Sequence, residues 1–228
     1  RVFLAWIVEA KKQFIIIGNI NCVTYKEVFP LIQNNSVWMG CTIHSGDREF
    51  EVPEGYPLKA AGWRIDENGK KYIRVKGVRW YTNIDHGRRH HPLELMTMAD
   101  NIKYSKHKEV KGKQYSVYDN FKAIDVPYTD AIPKDYDDIM GVPITFLDKY
   151  YPEQFEIVGI TQSWFGMASK IYPKQIQVSK TGKKSVVTKL NDGAAIEVDG
   201  PIEGDVYYIV DGIYYSKCYA RILIRKKK

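Results

Sequence analysis

The densest cationic chemistry in the chain is a run of four residues, Arg88, Arg89, His90 and His91. The segment before it, from residue 72, is rich in β-branched and aromatic residues and predicts a strand that ends in a turn at residues 85–87. Two fixed charges beside two titratable rings suit an anionic partner better than a protein core. Nucleic acid is therefore the leading candidate partner.

Residues for self-contained catalysis are not found in the sequence. Its three cysteines have no zinc-binding spacing, and the histidines of residues 86–91 have no cysteine or carboxylate pair nearby. Glycine-rich nucleotide fingerprints, phosphate loops and serine elbows are absent from the sequence as well. Asp125 and Glu156 could serve a metal nuclease, but no lysine follows Glu156 at the required place. We predict no metal site.

Two amide side chains, Asn19 and Asn21, follow an apolar segment at residues 14–17. That segment predicts a strand buried on both faces in the middle of a parallel sheet, between a helix at residues 1–13 and a helix at residues 25–34 capped by Thr24. Ligands of open α/β sheets lie beyond the carboxyl ends of the strands. Asn19 and Asn21 either pair with a base or polar substrate there, or satisfy the backbone of their own turn.

The rest of the chain must position these groups. An Asn68-Gly69 pair predicts a hairpin between residues 62–65 and 71–75. Residues 93–117 lose the apolar period and predict a mobile basic loop whose lysines are either solvated or in contact with phosphates. Residues 164–228 alternate in short segments between turn signals and predict an antiparallel β lobe, on which Lys170 and Lys174 are plausible phosphate contacts.

Composition agrees with a polyanionic partner. The 228 residues carry 34 Lys+Arg against 27 Asp+Glu, a net charge of +7, and the 13% aromatic content leaves rings available for stacking. Odd, widely spaced cysteines and the absence of a targeting or membrane-spanning run predict a reduced cytoplasmic protein with no membrane partner. Because the sequence begins at Arg1 in a helical pattern, we expect a fragment.

Several long motifs, taken in order, resemble those of EcoRI-type adenine-specific DNA methyltransferases. The motifs are residues 16–21 with 24–27, 77–84, 126–128, 140–143, 151–156 and the ending 219–225. The resemblance implies transfer of a methyl group from S-adenosylmethionine to N6 of an adenine extruded from duplex DNA. It also implies the Rossmann-like class I methyltransferase sheet. The fit is weakest over residues 170–213.

The family's catalytic Asn-Pro-Pro-Phe motif is not in this sequence, nor is its glycine-rich cofactor turn. The resemblance therefore implies an α/β fold made of the carboxyl-terminal half of the catalytic sheet, residues 1–92, with a target-recognition region, residues 93–228, that ends in the β lobe. On its own such a piece should not methylate. In the family reading, the far side of the target-base pocket is lined by Asn19, Asn21 and Tyr25. The residues facing double-stranded DNA are Arg79, Trp80, Asn83, His86, Arg88, Arg89, His90, His91, Lys170 and Lys174.

Two hypotheses of function follow. The chain either is the recognition-bearing part of a site-specific DNA adenine-N6 methyltransferase of the restriction-modification type, or is a non-catalytic nucleic-acid-binding module. We expect a monomer. Trp80 is more typical of a core residue than of a stacking platform, whereas Arg88 and Arg89 share a short turn that favours a binding role.

Overall fold

The computed structural model describes residues 1–43, 47–59 and 62–227. They form a mixed α/β protein of two compact units, Arg1–Arg88 and Arg89–Lys228. The domain boundary predicted after residue 92 stays a prediction. The α-helices are α1 (Val2–Glu9), α2 (Phe29–Gln33) and α3 (Met98–Tyr104). No helix in the described ranges has the length and apolar character needed to cross a membrane.

In the first unit the described residues form six strands. They are β1 (Ile15–Asn19), β2 (Trp38–Met39), β3 (Arg48–Val52), β4 (Trp63–Ile65), β5 (Lys71–Val75) and β6 (Val78–Thr82). One sheet has the order β1-β6-β2 and the other β3-β5-β4. Strand β6 is antiparallel to both of its neighbours, so β1 and β2 run parallel to each other on either side of it.

The prediction of a fully buried strand in a parallel sheet is wrong for β1. Its only neighbour in the described sheet is the antiparallel β6, with Ile15 opposite Thr82 and Asn19 opposite Val78. Ile15 is 64% exposed and Ile17 43% exposed. The segment does not alternate between apolar and polar residues, because the side chains on its outer face are apolar as well. Nothing in the described chain covers this outer face.

The two predicted helices of the first unit are also corrected. In α1 the expected inward face points outward, since Val2, Phe3 and Trp6 are each more than half exposed while Leu4 is buried. The Thr24 hydroxyl does not cap a helix at residue 25; it donates to the Asn21 carbonyl within a 3₁₀ turn, Ile20–Thr24. Helix α2 begins only at Phe29 because Pro30, which has no amide hydrogen, fits the first helical turn.

The hairpin around Asn68-Gly69 is confirmed. Strands β4 and β5 pair antiparallel, and Gly69 has a φ of +78° in the turn between them. The segment from residue 72 onward is not one strand, however. A turn at Gly77, whose φ is +66°, divides it into β5 and β6, which belong to different sheets.

Over the described part of the second unit, residues 89–227, there are nine strands. They are β7 (Ile124–Asp125), β8 (Met140–Pro143), β9 (Phe155–Ile160), β10 (Gln175–Val178), β11 (Lys184–Val187), β12 (Ala195–Val198), β13 (Tyr207–Val210), β14 (Ile213–Lys217) and β15 (Arg221–Lys226). A four-stranded sheet has the order β7-β8-β15-β9, with β7 and β8 parallel, and an antiparallel five-stranded sheet has the order β11-β10-β13-β14-β12.

The segment predicted to form a β lobe contains antiparallel strands, which differ from the predicted ones in two respects. Strand β14 was not predicted, and β15 leaves the lobe to pair with β8 and β9. The core of the five-stranded sheet is a buried cluster that includes Tyr172, Leu190 and Tyr215.

The predicted basic loop contains a helix. Thr97 caps α3, because its hydroxyl oxygen accepts a hydrogen bond from the Asp100 amide at 3.0 Å and its hydroxyl donates to the Asp100 carboxylate at 2.6 Å. Asn101 is buried and its side-chain amide donates to the Ala131 carbonyl. Because polar contacts hold α3 in place, its sequence shows no helical repeat of apolar residues.

Candidate nucleic-acid interface

The turn at the carboxyl end of β1 is built around Asn19. Its side-chain amide donates to the Lys76 carbonyl at 2.8 Å, and its side-chain oxygen accepts from the Asn21 amide at 2.9 Å. The Ile20 amide donates to the Gly77 carbonyl, and the Tyr81 hydroxyl donates to the Asn19 carbonyl. Asn19 therefore joins β1 to the β5–β6 turn and satisfies the turn's backbone.

Asn21 and Tyr25, the other two predicted pocket residues, have exposed side chains. The guanidinium of Arg1 lies 5.2 Å from the centre of the Tyr25 ring, in the range of a cation–π contact. The three predicted residues thus lie on one short segment that begins with the last residue of β1, and Asn21 and Tyr25 are accessible.

Arg79 and Asn83, predicted to face DNA, make internal contacts. Arg79 is 4% exposed, and its guanidinium donates to the Val78 carbonyl. The Asn83 side chain accepts from the Phe14 amide at 3.0 Å and donates to the Lys12 carbonyl at 2.9 Å. Asn83 therefore fixes the connection between α1 and β1.

Trp80 and His86 are brought together at a cavity of about 430 Å³ in the first unit. Ile15 and Gly40 also line it, and Gly40 is required there because a Cβ at this position would lie 2.7 Å from Trp80 Cβ. His86 Nε2 lies 2.8 Å from the Met39 carbonyl oxygen, so this nitrogen donates to it. The cavity is lined by aromatic and apolar side chains.

The cationic run forms a 3₁₀ turn, Gly87–His90. Arg88 and Arg89 are partly buried, whereas His90 and His91 are exposed. The turn thus holds three cationic or titratable side chains, and His91 follows it directly.

The two predicted lysines of the second unit differ in their surroundings. Lys170 Nζ lies 2.6 Å from Asp119 Oδ2, and this hydrogen bond raises the pKa of Lys170. A phosphate at Lys170 must therefore compete with an internal carboxylate. Lys174 is exposed immediately before β10.

A third basic surface surrounds α3. Its lysines are all exposed: Lys103, Lys106, Lys108, Lys111 and Lys113. Two neighbouring side chains on this surface are already paired with a carboxylate. Lys106 and His107 contact Asp130 at 3.0 and 2.8 Å. The His107 and Tyr128 rings stack with their centres 3.6 Å apart. Charged and aromatic groups therefore occur together here, as on surfaces that bind nucleic acid.

Asp125 belongs to a buried structural network. Its Oδ1 accepts from the Tyr118 hydroxyl at 2.5 Å and from Arg221 Nε at 2.8 Å, and Cys218 Sγ lies 4.0 Å away. Burial and the neighbouring carboxylate raise the pKa of Cys218 to about 12, so this thiol stays protonated. Among the described residues no cluster of three or more His, Cys, Asp or Glu side chains could hold a metal ion.

Sequence reasoning did not select Gln177 and Lys217, which line a second cavity within the five-stranded sheet. The turn motif Asp211-Gly212 is the sequence signal that could have placed Lys217 on a strand. Both of these residues have positive φ and join β13 to β14 in a two-residue hairpin.

Comparison with known proteins gives one family. Residues 1–227 match the family described as "Adenine-specific methyltransferase EcoRI". The Type II methyltransferase M.EcoRI of Escherichia coli is 43% identical over 158 residues, which are 69% of this chain and 46% of that protein.

Two Mycoplasma proteins are also similar. Type II methyltransferase M.MgeORF184P of Mycoplasma genitalium is 28% identical over 229 residues, 99% of this chain and 61% of that protein. Type II methyltransferase M.MpnI of Mycoplasma pneumoniae is 30% identical over 159 residues, 68% of this chain and 46% of that protein. The chain spans about half the length of the curated relatives it matches. No solved structure matches it.

Proposed function

The chain belongs to the EcoRI family of adenine-specific methyltransferases, and we propose that it supplies the DNA-recognising part of a site-specific DNA adenine-N6 methyltransferase of the restriction-modification type. The match along residues 1–227 carries this proposal. Double-stranded DNA is the partner, the protein acts as a monomer in the cytoplasm, and the activity requires sequence of the kind that the longer relatives carry.

The first unit forms the carboxyl-terminal half of a Rossmann-like catalytic sheet in this proposal. Three observations support it. Strands β1 and β2 run parallel with α2 in the connection between them, as in α/β folds. Strand β1 is an edge strand of its sheet. The apolar side chains of Ile15 and Ile17 are exposed on it. Further strands would extend this sheet, and the second unit would form the target-recognition region with its β lobe.

The residues of this chain do not by themselves fit S-adenosylmethionine, the methyl donor that the family implies. After β1 the turn contains no glycine, and its first two amides are already bonded to the Gly77 carbonyl and the Asn19 side chain. No amide cradle for an anionic or adenosine group is left at this turn. The donor would therefore bind largely to sequence outside these residues, and we assign it no step here.

The interface has two parts in the proposal. Asn21 and Tyr25 line the far side of the target-base pocket, while Asn19 holds the turn that presents them. The turn at Arg88, Arg89, His90 and His91 contacts the duplex, and the exposed Lys174 adds a phosphate contact. Arg residues can read guanine edges or bind phosphates, and both uses need the cationic turn to stay accessible.

Replacing Arg88 and Arg89 by Ala tests the duplex contact. Each lost phosphate contact reduces the salt slope of binding by about 0.9, so the double variant should lower the slope by about 2 and weaken binding to all sequences. A salt titration in a gel-shift assay measures both quantities. Arg64→Ala is the matched control because Arg64 pairs with Glu49 on the exposed β3-β5-β4 sheet. An unchanged slope in the double variant contradicts the assignment.

A non-catalytic nucleic-acid-binding module is the second candidate, because the Asn-Pro-Pro-Phe motif is absent from the sequence. A gel shift with and without S-adenosylmethionine separates the two functions. Duplex binding that the cofactor strengthens in the full gene product supports the enzyme. Binding that is salt-sensitive but indifferent to the cofactor supports the module.

A further inference from the structure

A row of apolar side chains crosses the whole five-stranded sheet of the second unit. The strand register places each member of the row directly opposite the next, along strands β11, β10, β13, β14 and β12. In that order the members are Val186, Ile176, Ile209, Tyr214 and Val198. Because directly opposite residues share a face of a sheet, the five side chains form one strip, about 19 Å long at the usual strand spacing.

The strip lies on the face of the sheet that is turned away from the core. The alternate residues Gln175, Tyr208 and Tyr215 are buried on the opposite face. On the strip itself Val186 is 66% exposed and Ile176 37% exposed, and the other three members are partly buried. The solvated face of an antiparallel sheet is normally polar, so a contiguous apolar strip on it indicates an interaction surface.

Two tyrosines give this face an aromatic character. Tyr207 of β13 lies two positions before Ile209, so its side chain is on the same face as that of Tyr214 on the adjacent strand β14. Both side chains are partly exposed, and the two ring centres are 5.8 Å apart. Aromatic side chains on the open face of a sheet are used by nucleic-acid-binding domains to stack on unpaired bases.

The charge of the face favours an anionic partner. Lys174 and Lys184 each lie two positions before a member of the strip, and both are exposed. Glu197 is the single carboxylate among the described residues of these five strands, and it lies opposite Tyr215 on the other face. A second copy of this face would bring lysines together without a carboxylate between them, whereas DNA phosphates complement the lysines.

We propose that this sheet face binds unpaired nucleotides of DNA by stacking their bases on the rings of Tyr207 and Tyr214. The aliphatic members of the strip contact sugar carbons, and the phosphates lie near Lys174 and Lys184. The surface binds DNA and does not transfer methyl groups. The inference rests on the proposed function, which makes DNA the partner and requires an adenine to be extruded, leaving its partner base unpaired.

The test compares two fluorescein-labelled oligonucleotides of equal charge, (dT)6 and an abasic hexamer, by fluorescence anisotropy with the 228-residue chain. Phosphate contacts anywhere on the protein affect both probes alike, so the ratio of the two Kd values reports base stacking alone. Stacking of a single base strengthens binding about fivefold or more. We therefore expect (dT)6 to bind at least about tenfold more tightly than the abasic hexamer.

Matched variants separate stacking from apolar contact. Replacing both Tyr207 and Tyr214 by Leu keeps the face apolar but removes the rings, and should bring the ratio of the two Kd values close to one. Replacing both by Phe keeps the rings and should preserve the preference for (dT)6. Tyr56→Leu is the control, because Tyr56 is a 44% exposed tyrosine of the first unit. If the double Leu variant does not fold, the two single Leu variants decide, since each should lower the ratio about fivefold.

Three results would overturn the surface. They are equal binding of the two hexamers by the unaltered chain, a preference for (dT)6 that survives the Leu substitutions, and a preference that the Phe substitutions abolish. A dimer in sedimentation that the Leu substitutions dissociate would make a second copy the occupant and also overturn it. Salt-dependent duplex binding in the gel shift is unaffected by these results, whereas its absence with the preference for (dT)6 intact overturns only the proposed function.

Discussion

The side chains of Asn19 and Asn21 have different tasks although they are two positions apart in a loop. The Asn19 side chain joins β1 to the β5–β6 turn and accepts from the Asn21 amide, while the Asn21 side chain is exposed. From the sequence, each of the two residues could either contact a base or form hydrogen bonds with the backbone of its own turn. Because the Asn19 contact to Lys76 joins residues 57 positions apart, no local pattern could have separated the two cases.

The Asp125–Arg221 ion pair of the second unit is largely buried, at a distance of 2.8 Å. Removing the Asp125 carboxylate by Asp125→Ala leaves Arg221, whose side chain is 14% exposed, without its anion. We expect a loss of about 3–5 kcal/mol in the free energy of unfolding. Urea denaturation with an unchanged m-value measures it.

Arg225→Ala is the control for this prediction, since Arg225 lies on the same strand and pairs with Glu156 at 2.8 Å on an exposed surface. Its loss should cost less than about 1 kcal/mol. Similar losses in the two variants would mean that the Asp125 network is not buried as described.

At the scale of elements, α3 depends on its cap. Thr97→Ala removes the hydrogen bond to the Asp100 amide and should cost about 1 kcal/mol of unfolding free energy. The matched variant is Thr188→Ala, because Thr188 occupies the cap position of the 3₁₀ turn Lys189–Asp192 without a side-chain hydrogen bond. Thermal unfolding of both variants measures the difference. An equal change in the two melting temperatures would show that the cap does not hold α3.

Turn residues and alternating apolar residues predicted those elements whose formation depends on residues close together in the sequence. The Asn68-Gly69 hairpin and the strand at Gln175–Val178 follow from turn residues and alternation, and the structure contains both. Strand β14 was missed because Asp211-Gly212 was read only as a stop, although the same pair forms a hairpin turn. The sequence indicated the resulting strand as clearly as it indicated the first hairpin.

Long-range pairing explains the wrong predictions. The direction of β1 depends on β6, about sixty residues later, and β15 is drawn to β8 and β9 instead of the lobe that precedes it. Helix α3 was hidden because polar contacts hold it, with Thr97 at its start and Asn101 in the core. For the candidate site, the choice of DNA-binding residues from their types stays a prediction, and it did not anticipate that Arg79 is buried and Lys170 is paired.

At the scale of the whole molecule, helix α1 and strand β1 of the first unit both carry exposed apolar side chains. Val2, Phe3 and Trp6 of α1 and Ile15 and Ile17 of β1 are all at least 43% exposed. Contiguous apolar patches mark interaction surfaces, whereas single exposed apolar residues are ordinary. Since the longer relatives continue beyond the matched region, this surface fits the proposal that the catalytic sheet extends past β1.

Substitution of Ile15 and Ile17 by Thr tests this surface in the 228-residue chain. Thr keeps the β-branched shape that strands favour and replaces a methyl group with a hydroxyl that water can solvate. The unaltered chain should bind the hydrophobic dye ANS, and the double variant should bind clearly less while its melting temperature stays within about 2–4 °C. Ile171→Thr is the control, because Ile171 is 72% exposed in the second unit. Equal dye binding by all three proteins would mean that β1 is covered within the chain itself, which would remove the support that its exposed edge gives to a continuing sheet.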